Sequence, residues 1–197
     1  MSENVRRRQR GLARIEQLLD AAAVVFARRG YDGATTNAIA AEAGVSPGSL
    51  YQFFRDKADL AAALGQRYAE ALDRAHAEAL ASFEATKAPL PEVVAQILDP
   101  MIAFKEAHGA YAALFTRAAL PESLAEPVAR SEAGFNERIV ALLRARNPKL
   151  AREDARRITR TIFALTSGVM PTLSGDSELA VELKRAILGY LREQRIR

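Results

Sequence analysis

The chain has 197 residues, 49% of them apolar and 26% charged, an ordinary globular usage that excludes a disordered polymer and supplies a core without disulfides or a structural metal. It contains no cysteine, which excludes thiolate catalysis, zinc-finger and iron–sulfur chemistry and a disulfide-built secreted scaffold, and makes a reducing cytoplasm the expected compartment. Lysine and arginine number 28 against 24 acids, a net charge of +4, a modest excess whose placement matters more than its size.

Alanine, leucine, arginine and glutamate abound, and apolar residues recur at three and four rather than at two, so an all-α fold without strands is predicted. Segment 1–10 carries Arg6, Arg7, Arg8 and Arg10, with Arg14 just beyond, and Lys184, Arg185, Arg192, Arg195 and Arg197 gather near the other end. Either both clusters are solvated ends, or the first is an arm that meets phosphates or the minor groove of DNA. The charged stretch Arg14 to Asp20 follows where an export signal would have its apolar core, so none is expected. Apolar runs such as Ala21 to Ala27 fall far short of the roughly 18 residues a membrane span needs.

Ile15, Leu19, Ala22 and Phe26 form the buried stripe of a first helix that Gly30 stops. Thr36 is placed to cap a short second helix reaching Ala43. Gly44 ends it, and Ser46 with Pro47 supplies the cap and first position of a third, ending near Phe54. Asp56 caps a long fourth helix, with Asp59 at its third position and a stripe through Leu60, Leu64, Tyr68, Leu72, Leu80 and Phe83. After Pro89 and Pro91, a fifth helix carries Val93, Ile97, Met101 and Phe104 toward His108 and Gly109, and a short sixth spans Ala110 to Ala119. Pro121 and Pro127 make the start of the seventh irregular, until Phe135, Ile139, Leu142 and Leu143 restore helical spacing up to Asn147-Pro148. An eighth helix with Ile158, Ile162, Leu165 and Val169 ends near Pro171. A ninth, with Leu183, Ile187, Tyr190 and Leu191, follows the Ser174-Gly175-Asp176 turn.

Two short helices between Thr35 and Phe54, joined by a tight turn at Gly44-Val45 and set between longer ones, have helix-turn-helix spacing. The same spacing suits a plain helical hairpin in which Tyr51, Phe53 and Phe54 only pack. In the DNA-binding reading the second short helix enters the major groove, and Ser46, Pro47, Gly48 and Ser49 are small enough for close approach. Leu50 and Phe54, one turn apart, go to the core, leaving Tyr51, Gln52 and Phe53 for groove and backbone.

Residues 15–60 carry Ile15, Ala22, Ala23, Phe26, Gly30-Tyr31, Thr35-Thr36, Ile39-Ala40, Ala43-Gly44-Val45-Ser46, Gly48, Leu50-Tyr51, Phe54, Lys57 and Leu60. This run closely resembles the amino-terminal DNA-binding domain of TetR-family (TetR/AcrR-type) transcriptional regulators. The resemblance implies a nine-helix TetR-like fold: a three-helix helix-turn-helix domain over 1–56, opening with a flexible basic arm over 1–10, and a helical effector-binding and dimerisation domain over 57–197. It implies a homodimer on a palindromic double-stranded DNA operator, most often a repressor, released by a small-molecule effector, with no cofactor, metal, membrane partner or catalytic residue. By position, DNA contacts fall on Thr36, Asn37, Pro47, Gly48, Ser49, Tyr51, Gln52, Phe53 and Lys57. Thr36 and Tyr51 offer hydroxyls to phosphates, and Lys57 offers a salt-dependent backbone contact. Asn37 and Gln52 carry amides that can pair with an adenine edge, each worth about 1 to 3 kcal/mol of discrimination; plain solvent exposure is the other reading of Asn37.

Beyond residue 60 the resemblance is general. The effector cavity is expected among the fourth to eighth helices, lined by Phe83, Met101, Phe104, His108, Tyr111, Phe115, Phe163, Thr166 and Met170, with His108, Tyr111 and Thr166 as polar anchors. Core packing is the competing reading of each. The dimer interface is expected on Ile158, Ile162, Leu165, Val169, Leu183, Ile187, Tyr190 and Leu191. Enzyme motifs are weak: Asp73-x-x-His76 lacks the second acid-x-x-His of a di-iron bundle site. Gly44 to Gly48 lacks the strand and the Lys-Ser/Thr of a phosphate loop. The alternative function is a helical small-molecule-binding protein or enzyme without DNA binding, separated from a regulator by the absence of salt-dependent operator binding.

Overall fold

The computed structural model describes residues 3–80, 87–108, 120–173 and 175–196. The expected sixth helix, Phe83, Tyr111, Phe115 and Ser174 lie outside them. The described residues hold eight α-helices and no strand: α1 (Glu3–Gly33), α2 (Thr36–Glu42), α3 (Pro47–Tyr51), α4 (Lys57–Leu80), α5 (Leu90–Ala107), α6 (Glu122–Arg146), α7 (Arg152–Val169) and α8 (Ser177–Glu193). A single 3-10 turn, Met170–Thr172, follows α7.

Gly30 breaks α1 where a stop is expected, with φ 72° and ψ 165°, and helical backbone resumes as far as Gly33. Other boundaries differ from expectation for local reasons. The basic segment is helical from Glu3 instead of forming a flexible arm, because arginine favours helix and no proline interrupts it. Thr35, not Thr36, caps α2: it is the residue with extended backbone, and its side chain accepts from the Ala38 N–H. The third helix ends at Tyr51 rather than Phe54. The helix expected to start irregularly is continuous from Glu122 through Pro127; proline removes one backbone donor, a loss that the rest of this long helix outweighs.

The chain divides into two compact units, one of Met1–Ala69 with Ala110–Val128, the other of Glu70–Gly109 with Ala129–Arg197. In the first, Leu18, Phe26, Ile39, Leu50, Leu60 and Leu64 are fully buried and share one cluster with Leu124 of α6. Burying each such side chain contributes about 1.5 to 3 kcal/mol. Gly65 of α4 meets the backbone of α6: a Cβ there would stand 2.6 Å from the Leu124 carbonyl oxygen and 2.9 Å from its Cα. Only glycine permits that approach.

In the second unit, Leu90, Val94 and Leu98 of α5, Ile139, Val140 and Leu143 of α6, Ala155 and Ile158 of α7, and Leu183, Ile187 and Leu191 of α8 make one core. An ion pair between Lys184 and Asp99 adds a polar tie between α8 and α5. The Arg146 guanidinium at the end of α6 donates to the Ala88 carbonyl at 2.9 Å. Among the described residues no helix is long and apolar enough to cross a membrane.

Candidate nucleic-acid interface

The two short helices of the first unit are held by caps and by the core beneath them. At the end of α2, Gly44 adopts a positive φ of 64°, the left-handed conformation that lets the chain turn sharply and that side chains with a Cβ resist. Ser46 then caps α3, accepting from the Ser49 N–H at 3.2 Å, and Pro47 takes the first turn, where its missing N–H is no loss. Leu50 and Phe54 point inward, 0% and 6% exposed. That fixes the roll of α3 about its axis, and Pro47, Gly48, Tyr51 and Gln52 are exposed together with Asn37 of α2. Tyr51 keeps 51% of its surface.

The Thr36 and Tyr51 hydroxyls are hydrogen-bonded to each other at 2.9 Å, joining α2 to α3 on the outer side. The Ser46 hydroxyl donates to the Ser49 hydroxyl at 3.1 Å. Two of the expected contact residues also have partners within the unit. Phe53 is partly buried against the core, so its ring packs. The Lys57 ammonium donates to the Tyr31 carbonyl at 2.8 Å and the Asp32 carbonyl at 3.3 Å and lies over the Tyr31 ring, 4.3 Å from its centroid. It thereby satisfies carbonyls in the short helical stretch that follows the break at Gly30.

Other side chains brace this frame. Gln17 donates to the Ala43 carbonyl at 2.7 Å and itself accepts from Arg14 at 3.0 Å, tying α1 to the end of α2. Arg28 and Glu42 add an exposed ion pair at 3.1 Å. Asp56 accepts from the Asp59 N–H at 2.8 Å, the expected cap of α4. Asp59 reaches back to the Arg55 backbone N–H at 3.1 Å. That bond, with the Arg55 guanidinium beside it, holds the Asp59 carboxyl below the usual range. Arg67 was not expected to matter, yet it clasps Glu16 and Asp20 of α1, each at 2.6 Å. Its signal was present: two carboxylates one helical turn apart repel each other and call for a cation between them. Arg6, Arg7, Arg8 and Arg10 are exposed on the first turns of α1, a positive stretch within the same unit.

The effector and dimer candidates lie in the second unit. Phe104 and His108 stack, ring centroids 4.4 Å apart, and the His108 Nδ1 lies 2.8 Å from the Phe104 carbonyl. The Thr166 hydroxyl donates to the Ile162 carbonyl at 2.8 Å. Met101 is partly buried, and Met170 packs on the core. Phe163 stands exposed at 38%. Of the residues expected at a dimer interface, Ile158, Leu183, Ile187 and Leu191 are buried in the chain's own core, Ile162, Val169 and Tyr190 pack partly against it, and Leu165 is 40% exposed.

Asp73 and His76 meet through Ser131. The Ser131 hydroxyl donates to Asp73 Oδ1 at 2.6 Å, so at 3.2 Å from His76 Nδ1 it accepts from the ring N–H. The His76 ring also stacks on Phe135, centroids 4.0 Å apart. Burial pushes its pKa down to about 4, with Arg138 adding to the effect and Asp73 opposing it. Here the Asp-x-x-His pair serves packing and a hydrogen-bond chain; among the described residues no group of three or more acids and histidines could hold a metal ion.

Comparison with known families places this arrangement. The family described as bacterial regulatory proteins, tetR family, matches residues 18–64, and that described as tetracyclin repressor-like, C-terminal domain, matches residues 89–191. No curated relative matches the chain. Among solved structures, a TetR-like transcriptional regulator from Rhodococcus sp. RHA1 is 24% identical with a TM-score of 0.75, over 93% of this chain and 97% of that one. The fatty acid degradation regulator FadR from Bacillus halodurans is 22% identical with a TM-score of 0.68, over 90% and 94%. The transcriptional regulator FadR from Bacillus subtilis, in complex with stearoyl-CoA, is 21% identical with a TM-score of 0.66, over 89% and 96%.

Proposed function

We propose that this chain, which belongs to the TetR family of bacterial DNA-binding transcriptional regulators, acts as a homodimeric repressor released from a palindromic operator by a small molecule. The observation that carries this reading is the division of α3 and the residues that end it: Leu50 and, just past the helix, Phe54 anchor inward, while Pro47, Gly48, Tyr51 and Gln52 stay exposed beside Asn37. In the proposal α3 enters the major groove, Asn37 and Gln52 read base edges, and Thr36, Ser49 and Tyr51 meet phosphates. The exposed arginines of α1 supply the salt-dependent part of the affinity.

A dimer fits the geometry of such an operator, whose half-sites lie about one helical turn, roughly 34 Å, or a multiple of it apart. The exposed apolar Phe163 and Leu165 of α7 and Val181 of α8 support a second copy on those helices. An effector held within residues 57–197 then needs only to prefer a different separation of the two α3 helices. A coupling of about 1 to 3 kcal/mol would weaken operator binding about 5- to 150-fold.

The test is a salt-titrated footprint on the DNA flanking the protein's own gene, with Tyr51→Ala as control. A symmetric protected site that weakens steeply with salt and is lost in the variant is the expected result. No protection at low salt, on that DNA or on a pool of genomic fragments, would leave a small-molecule-binding helical protein as the better reading.

A further inference from the structure

Among the described residues, the ammonium nitrogen of Lys105 is the one buried side-chain nitrogen or oxygen with no hydrogen-bond partner. It stands in the last turn of α5. The acids nearest in sequence do not neutralise it: Asp99 is paired with Lys184, and Glu106 is exposed one position along the helix, on a different side. The negative end of the α5 dipole favours a cation there, but that weak attraction does not repay the loss of water around a full charge. A methionine or leucine would fit a partly buried helix position at no such cost. Among the described residues nothing hydrogen-bonds this ammonium, which leaves a counter-charge to be supplied by a bound group.

The surroundings on α5 indicate what brings that charge. On the side of the helix that carries Lys105, the preceding turn presents Met101 and Ile102, both partly buried; Phe104 and His108 stack on the neighbouring turn. Its neighbours along α5 are apolar or aromatic, the His108 ring among them. A single positive charge balances a carboxylate, whereas a phosphate dianion would be left half neutralised.

We propose that Lys105 is the anchor of the effector site and that the effector is an apolar carboxylic acid, its carboxylate paired with the Lys105 ammonium and its body laid against the apolar part of α5. In the free protein the ammonium is covered and uncompensated. Binding swings the flexible side chain onto the acid and relieves that cost, a differential interaction that can bias one conformation over another. The inference rests on the ligand-responsive reading above and narrows it to a ligand class and a residue.

Titration calorimetry and thermal shift on the full chain test it with straight-chain acids from hexanoate to hexadecanoate, phenylacetate, the matching alcohols, decyl phosphate and stearoyl-CoA. At least one acid should bind the native protein, with its alcohol and the phosphate at least about tenfold weaker. Lys105→Met should weaken that acid about 10- to 100-fold, the range expected for loss of a charged hydrogen bond, and leave the alcohol unchanged. Lys105→Arg should retain most of the affinity. Without ligand, Lys105→Met should raise Tm, since it removes an uncompensated buried charge; a merely structural lysine would give a lower Tm. Failure of every acid to bind, equal binding by Lys105→Met, or tight binding of stearoyl-CoA indifferent to residue 105 would overturn the assignment. Operator binding by unliganded Lys105→Met, measured separately by footprint, distinguishes loss of this site from failure of the regulator reading itself.

Discussion

In the first unit Gln17, Arg28, Lys57 and Arg67 all end on partners inside the unit, whereas the second keeps charge in uncomfortable places. There Lys105 is buried without a partner, burial pushes the Glu132 carboxyl up, and His76 is pushed down. On the function proposed above, the contrast matches two kinds of recognition. A surface that meets a long, stiff polyanion gains from being held in shape beforehand, because ordering it on contact would subtract from affinity. A site for a small molecule can hold unspent electrostatic free energy until the ligand arrives.

The largest expected effect tests whether the first unit is held as firmly as this contrast requires. Phe26→Ala should cost about 3 to 5 kcal/mol by opening a cavity under α1, read by urea unfolding; a loss below about 1 kcal/mol would break the comparison. Gln52→Ala sharpens it from the surface. It should remove about 1 to 3 kcal/mol of discrimination at one base pair, seen in competition binding with single-base operator variants, while changing stability by less than about 0.5 kcal/mol.

The second unit's buried histidine should make stability depend on pH. Because the folded pKa is about 4 against an ordinary 6.5, the unfolded chain takes up a proton in that window while the folded one does not. The stability present above pH 6.5 therefore falls as pH is lowered toward 4, by about 1 to 2 kcal/mol after allowance for partial solvation. Urea unfolding of His76→Gln across the same range should lack this component. The smallest effect belongs to Arg67→Met. Its partners Glu16 and Asp20 keep 60% and 72% of their side-chain surface, so the loss should stay near or below about 1 kcal/mol and shrink in high salt, which screens the two carboxylates left behind.

Much of the first unit was legible because its signals are local. Gly44, Ser46 and Pro47 specify the turn and the start of α3 by their own backbone chemistry, and Leu50 with Phe54 specify its inward side. Thr35 and Thr36 are chemically alike, so only the backbone decided which one caps. Lys57 and Phe53 have surroundings that local signals do not show. The Lys57 ammonium bonds to carbonyls 25 and 26 residues away, and Phe53 packs against a core built mostly from residues distant in sequence. In the second unit the period of Ile158, Leu183, Ile187 and Leu191 marked an apolar face, but periodicity does not distinguish the chain's own core from a partner's surface. Lys105 gave no signal at all: a lysine among helical residues reads as solvated until burial is known.

The crossing of Gly65 and Leu124 has a mechanical consequence. Most helix contacts are cushioned by side chains, whose rotamer changes absorb small displacements. Here two main chains touch, and a main chain cannot yield without breaking its own helix. Within this unit the joint has almost no compliance, so a push on α6 at Leu124 reaches the α4 backbone undiminished. Eight positions earlier on α4 stands Lys57, fastened to the end of α1. The stiffness of the helix-turn-helix frame is thus set at a point that carries no side chain.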